Sequence, residues 1–304
     1  MIESQSSVLE STGIGWRERL GDYVELTKPR LTLLNVLCTM AGFYLGTHGE
    51  LDTMVLVHTL VGTFMVGGGC GALNMFVERE HDALMRRTMT RPIPAGRISP
   101  TEALVIGTLL AVGGVIYLAV ATTPLAGLLA LATLVSYVFL YTPMKRLSTL
   151  NTVIGGIPGA LPPVIGLAAA GNMVLSDAFV LFAILFFWQM PHFLSLAWMY
   201  RRDYERAGYV MLPNLDPQGV STSRQILLWS AGLIPVSLLP KLVGMSGAIY
   251  FFGALALGLG FVAFAIVLSL SESRRNVHAK WVFYYSLLYL PILMLSMVLD
   301  RSGL

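Results

Sequence analysis

Apolar residues along this chain fall into long unbroken runs, and the polar residues collect in the connections between them. The runs cover approximately residues 31–47, 53–77, 101–121, 124–142, 149–170, 177–199, 226–242, 247–270 and 281–299. A hydrocarbon core about 30 Å thick takes about 20 apolar helical residues to cross, so the pattern predicts nine membrane-spanning helices in one all-α bundle over 22–304. Glycine and proline recur inside the runs, which bundled membrane helices tolerate because neighbours satisfy freed backbone groups and small residues allow close packing. Residues 1–21 contain Glu3, Glu10 and several serines without an apolar core. They read as a disordered or interfacial tail rather than a cleaved signal or an Arg-rich transit peptide.

Composition agrees: 55% of residues are hydrophobic and 12% charged, with a mean hydropathy of +0.71, far from a soluble norm near a quarter charged. Cys38 and Cys70 both lie inside apolar runs. They form no disulfide framework or metal-ligand spacing and read as small packing residues. Charge then orients the bundle. With nine spans and the N-terminus inside, all of the 20 Lys and Arg residues except Lys241 and Arg301 fall in segments on one side. Basic loops stay cytoplasmic, so the expectation is a multi-pass protein of the bacterial plasma (inner) membrane, N-terminus in and C-terminus out, with lipid and no nucleic acid as surroundings. Two connections on that side, after the second and sixth spans, run to about twenty residues, and long loops are functional candidates.

Candidate chemistry lies at those two places. In Asn74-Met-Phe-Val-Glu78-Arg-Glu-His-Asp82, the residues Asn74, Glu78 and Asp82 recur every fourth position. On a helix they project within about 80° of one another over about 12 Å. Two carboxylates on one stripe repel unless a cation lies between them. Mg²⁺ suits such a site, since it takes oxygen ligands and shares them with substrate phosphates; a solvated helix end is the plain alternative, as for Glu80. Arg86, Arg87, Arg91 and Arg97 follow at once. Acid-bound metal beside guanidinium groups suits a diphosphate. Gly67, Gly68, Gly69 and Gly71 precede the stripe and fit either close ligand approach or helix packing.

The second cluster is Trp188-Gln-Met-Pro-His192-Phe followed by Tyr200-Arg-Arg-Asp203-Tyr-Glu205-Arg206. His192 is an ionisable residue inside a span, a functional candidate by default, with a histidine bonded to a backbone carbonyl as the alternative. His192 and Asp203 share a helix face if Pro191 only kinks the helix. Lys145, after Tyr141-Thr-Pro, offers a further phosphate contact or serves topology alone.

The stretch from Asn74 to Asp82, with Met85-Arg86-Arg87-Thr88 and Arg91-Pro-Ile-Pro-Ala-Gly-Arg97, resembles the intramembrane prenyltransferase superfamily that includes 4-hydroxybenzoate polyprenyltransferase. Lys28-Pro-Arg30, Tyr141-Thr-Pro with Lys145, Asn151 with Gly155-Gly156-Ile-Pro-Gly159, Trp188-Gln-Met-Pro-His192-Phe, Asp203-Tyr and Met211-Leu-Pro213 extend the resemblance to the haem-directed members, over about residues 22–215. It implies a nine-helix bundle with a central cavity open to the cytoplasm. It also implies Mg²⁺ and farnesyl diphosphate held between two polar helix ends, and farnesyl transfer to a vinyl group of haem B with water added, giving haem O and diphosphate. The implied roles are Mg²⁺–diphosphate binding for Asn74, Glu78 and Asp82, diphosphate neutralisation for Arg86, Arg87, Arg91 and Lys145, and haem-side contact for His192. Lys28 and Arg30 join the substrate-binding set, as does Asp203, which is also the second region's candidate metal ligand. Haem A synthase or oxidase assembly proteins are the implied protein partners. Glu78 stands where the superfamily usually has Asp, and the second region offers only Asp203 and Glu205 where several Asp are usual. That departure points away from quinone-type acceptors. A sister enzyme acting on an aromatic quinone or chlorin precursor shares every argument from the first cluster. A secondary transporter is the rival of another class, although its polar groups belong near the midplane.

Overall fold

The computed structural model describes residues 16–171, 173–271 and 274–301. Of the expected N-terminal tail, residues 1–15 lie outside the described residues, while 16–21 belong to helix α1 (Trp16–Leu26). Thirteen further α-helices follow: α2 (Pro29–Gly46), α3 (Thr53–Asp82), α4 (Pro100–Ala121), α5 (Pro124–Val135), α6 (Thr142–Met144), α7 (Asn151–Ala160), α8 (Pro162–Ala169), α9 (Leu175–Met199), α10 (Arg201–Arg206), α11 (Leu212–Leu215), α12 (Val220–Leu242), α13 (Ala248–Leu270) and α14 (Arg275–Leu299). Among the described residues there is no strand beyond one isolated bridge, Ser246 with Arg301.

Helix starts are written locally. The Asp52 carboxylate accepts from the Met54 and Val55 N–H groups to open α3. Ser99 and Glu102 form a reciprocal capping box ahead of Pro100, and Thr123 caps α5 ahead of Pro124. Each arrangement supplies acceptors to N–H groups that the first helical turn leaves bare, and proline there costs no hydrogen bond.

Eight helical stretches among the described residues are long and apolar enough to cross a membrane; α5 with its continuation to Met144 is one, and α7 with α8 another. The first predicted run is α2, whose 18 residues include Arg30 and Asn35 and which is not among the eight. It is nonetheless built into the bundle by a tight crossing with α8: a Cβ at Gly42 would stand 1.9 Å from the Pro163 carbonyl oxygen, and one at Gly166 1.9 Å from that of Thr39. Only glycine permits two helix backbones to approach so closely. Large apolar side chains such as Leu109, Val120, Phe179, Ile249 and Leu270 point outward and exposed, as a lipid-facing surface requires.

Element ends sort into two groups. Arg301 donates to the carbonyls of Tyr44 and Thr47, and Asp300 accepts from the Tyr250 N–H, gathering the ends of α2 and α14 and the start of α13. At the C-terminal end of α3, Arg97 pairs with Asp22 at 2.7 Å and Glu25 at 3.0 Å, and Arg19 with Glu102 at 2.9 Å, fastening α1 to the α3–α4 connection and to the first turn of α4. The two long connections, 83–99 and 200–219, meet in a small buried cluster of Met85, Ala207, Tyr209 and Met211.

Candidate active site

Helix α3 carries the Asn74, Glu78 and Asp82 stripe to its last residue, and all three are buried, between 1% and 6% exposed. That removes the solvated-helix-end reading for these residues, while the Glu80 side chain is 77% exposed. Burial of this kind demands partners, and each member of the stripe has a cation from a different segment. Lys28 Nζ donates to Asn74 Oδ1 at 2.5 Å, Lys145 Nζ to Glu78 Oε1 at 2.7 Å, and Arg91 Nη1 to Asp82 Oδ2 at 2.6 Å.

Local backbone sets each partner. Lys28, in the break between α1 and α2, is the only non-glycine residue at positive φ among the described residues, at φ 50°. Side-chain-bearing residues rarely adopt that region, and strain of this sort gathers at functional sites. Burial, reinforced by the charge of Arg91, lowers the Lys28 ammonium to about 7. Lys145 follows a π-helical stretch, Ser136–Tyr141. Pro143 lacks an N–H and its ring opposes an α-helical carbonyl four residues back; here the Thr142 N–H and hydroxyl both donate to the Tyr137 carbonyl instead. The Thr142 hydroxyl oxygen in turn accepts from Asn74 Nδ2 at 3.1 Å, which turns the Asn74 carbonyl oxygen toward Lys28. Burial pulls Lys145 down, but Glu78 and the ring of tyrosines overcome it and hold its pKa well above the usual lysine value. Its ammonium lies 4.6 Å from the Tyr141 ring centroid and 5.9 Å from that of Tyr209. Tyr209 is held there because the Val210 N–H donates to the Lys145 carbonyl and Asn151 Nδ2 to the Val210 carbonyl.

One cavity is lined by Lys28, Asn74, Glu78, Asp82, Arg87, Arg91, Lys145 and His192 together. Gly67 and Gly71 line it too, whereas Gly69 meets α4, so the glycine run serves both cavity and packing. Cys70 also faces the cavity, and Cys38 packs in the core; both are free thiols.

His192 sits in a different environment. Helix α9 runs through Pro191, and the imidazole stacks between Trp188 and Phe283, with centroids 5.1 Å and 4.9 Å away. Its Nδ1 lies 2.7 Å from Ser286 Oγ, a side-chain partner rather than a backbone carbonyl. Ser286 has a single hydroxyl proton, which it gives to the Phe283 carbonyl at 2.5 Å. Nδ1–H is therefore the donor to Ser286, and Nε2 carries the lone pair. The Ser286 carbonyl also accepts from the Trp188 indole N–H at 2.8 Å, so one residue of α14 holds both rings.

Four expected residues stand elsewhere. Arg86 and Arg30 are exposed and line no part of the cavity. Asp203 lies beyond a break at Tyr200 that ends α9, so it does not continue the His192 face, and it pairs with Arg206 instead of entering the cavity. Arg97 is committed to Asp22 and Glu25. Sequence reasoning missed Tyr137, Tyr204, Tyr209 and Gln189, all cavity-lining, and Ser286, which no local motif marks.

Among the described residues no three His, Cys, Asp or Glu side chains converge as a metal site, so Asp203 does not join Glu78 and Asp82. The stripe itself suits Mg²⁺ in a narrower way. Lys145 and Arg91 each occupy one carboxylate oxygen, leaving Glu78 Oε2 and Asp82 Oδ1 without a protein partner among the described residues. Hard oxygen donors numbering too few for a closed cage are what Mg²⁺ takes when phosphates complete its shell.

Known proteins share both the sequence and the shape. A protoheme IX farnesyltransferase of Solibacter usitatus is 47% identical over 292 residues, covering 93% of this chain and 99% of its own. One of Koribacter versatilis is 42% identical, covering 93% and 94%. Among solved structures, a digeranylgeranylglyceryl phosphate synthase superposes with a TM-score of 0.72 at 17% identity, over 93% of this chain and 98% of that one. A UbiA homologue from Archaeoglobus fulgidus bound to DMAPP and Mg²⁺ gives 0.67 at 16% identity, over 89% and 99%. Residues 35–288 match the UbiA prenyltransferase family, and with relatives of such identity over nearly its whole length the chain belongs to that family, in its protoheme IX farnesyltransferase branch.

Proposed function

We propose that this protein transfers the farnesyl group of farnesyl diphosphate to a vinyl substituent of haem B, with addition of water, forming haem O and diphosphate. The observation that carries the proposal is the shared lining of one cavity by the cation-countered stripe and by His192, together with relatives named for that activity.

Diphosphate binds at the stripe end, where Lys28, Arg87, Arg91 and Lys145 take its oxygens by charge-assisted hydrogen bonds. An arriving anion favours the charged form of Lys28, whose pKa burial lowers to about 7. Asn74, Glu78 and Asp82 would hold Mg²⁺, which when bound neutralises the leaving diphosphate. The allylic carbon–oxygen bond breaks with its electron pair leaving on diphosphate. The vinyl group's π electrons then form the new carbon–carbon bond, and water adds to the resulting cation with loss of a proton. Fixed guanidinium and ammonium groups stabilise charge that develops during bond breaking, without reorganising at that moment. The rest of the cavity wall, including Leu31, Leu34, Phe193 and Leu196, excludes water that would quench the cation early.

On the acceptor side, the His192 Nε2 lone pair between flat aromatic rings suits an axial contact to haem iron, with Ser286 fixing the tautomer as outer partners of ligating histidines do. The cavity opens to the cytoplasmic face of a bacterial plasma membrane crossed nine times, α2 included. In support, the basic residues other than Lys241 and Arg301 sort to that side.

Purified protein supplied with labelled farnesyl diphosphate, Mg²⁺ and either haem B or 4-hydroxybenzoate tests this. Label in haem O, with diphosphate released, is expected. Label in the benzoate alone would transfer the protein to a quinone pathway, and transmembrane flux without diphosphate release would make it a transporter.

A further inference from the structure

Apart from the central cavity, a second and mainly polar pocket lies where α9, α12 and α14 end together, lined by Trp198, Arg201, Gln218, Val220, Arg275 and Asn276. Its two arginines differ from those of the connection between α3 and α4. Arg91 and Arg97 have carboxylate partners within 3.0 Å, whereas neither Arg201 nor Arg275 forms an ion pair among the described residues. Arg275 is only 7% exposed and its Nε has no hydrogen-bond partner; Arg201 Nη1 is likewise buried and unpartnered. A buried guanidinium without an anion is costly and rarely left so.

Local structure aims both charges into the pocket. The Arg201 guanidinium stacks 4.2 Å over the Trp198 ring, and the Trp198 indole N–H donates to Asn276 Oδ1 at 2.9 Å. Gly219, at φ 73°, has no Cβ to obstruct Trp198 and the Arg275 stem, which would lie 2.5 Å and 2.6 Å from one. Among the described residues no side chain caps the start of α14, a helix of 25 residues, and its positive end adds to the field. The nearby Asp216 is spent on α12, accepting from the Val220 and Thr222 N–H groups at 3.1 Å and 2.7 Å.

We infer that this pocket binds a phosphate oxyanion, supplied by the headgroup of an anionic membrane lipid. Two guanidinium groups and the positive end of α14 match a phosphate in charge and donor geometry. A lipid source fits the position, at the common end of three membrane-crossing stretches. Beyond Asn276, α14 exposes Val277 at 49% and Trp281 at 54% beside the exposed Lys280, apolar contacts for acyl chains next to an interfacial tryptophan. The site is separate from the stripe and does not depend on the identity of the acceptor.

Thermal melting of the purified protein in mixed micelles tests the inference, comparing dioleoylphosphatidylglycerol, dioleoylphosphatidylcholine and inorganic phosphate. The glycerol lipid should raise the midpoint at concentrations where the choline lipid does not. Arg201→Gln, at a half-buried position that folding tolerates, should weaken that response about tenfold, the loss of one charged hydrogen bond. Arg275→Gln should do the same, and the exposed neighbour Arg202→Gln should respond as the unaltered protein. Equal responses to both lipids, or unchanged responses in both pocket variants, would overturn the site. A full shift with inorganic phosphate alone would overturn the lipid source.

Discussion

The two ends of the central cavity solve opposite problems. At the stripe, three residues of α3 are each answered by a cation from a separate segment, and the Glu78–Lys145 pair is nearly dry, with side chains 7% and 11% exposed. At His192 no charged group is in hydrogen-bond reach among the described residues; two flat rings sandwich the imidazole and one hydroxyl orients it. The first arrangement suits a group that leaves as an anion, the second a flat ring with a metal at its centre. Asp203 makes the contrast sharper, since its pair with Arg206 is partly solvated, with side chains 13% and 43% exposed, and surface pairs of that kind contribute about 0–1 kcal/mol.

Substitutions should separate the ends. Glu78→Ala or Asp82→Ala should give the largest loss, turnover falling about 10²–10³-fold, with inserted protein still recoverable from membranes; removing transition-state charge stabilisation has that scale. Glu78→Ala also strands the Lys145 ammonium in a buried site, so a loss of about 3–5 kcal/mol in stability accompanies it, and Glu78→Gln with Lys145→Met should recover part of that stability but not the activity. Next, His192→Ala should abolish haem O formation and alter the haem absorption spectrum while leaving farnesyl diphosphate affinity within about twofold. Ser286→Ala should cost about 10–100-fold on the haem side, as loss of an outer hydrogen bond to a ligating histidine does, again without effect on diphosphate binding. The smallest change belongs to Asp203→Ala, for which kcat/KM within about twofold of the unaltered protein is expected; a loss as large as that of Asp82→Ala would restore Asp203 to the metal site.

The helices were legible because long apolar runs have one main solution in a bilayer, and their predicted limits differ from the structure where charge is buried. Hydropathy ends the second run at 77, yet α3 continues to Asp82, and Lys145 and Arg91 neutralise the carboxylates of that last stretch. The stripe and His192 were legible from local spacing. Lys28 and Lys145 came in through the resemblance, but their pairings did not: Lys28 and Asn74 are 46 positions apart and Lys145 and Glu78 67, and no periodicity encodes such pairs. Nor could spacing reveal the break at Tyr200, which sends Asp203 away, or the π-helical turn that aims Lys145.

The most direct measurement titrates farnesyl diphosphate with Mg²⁺, and separately haem B, into Glu78→Gln and His192→Ala. Two independent ends predict a double dissociation: Glu78→Gln loses diphosphate affinity and keeps the haem spectrum, and His192→Ala does the reverse. Loss of both ligands by either variant, or retention of both by both, would contradict the division of the cavity into a diphosphate end and a haem end.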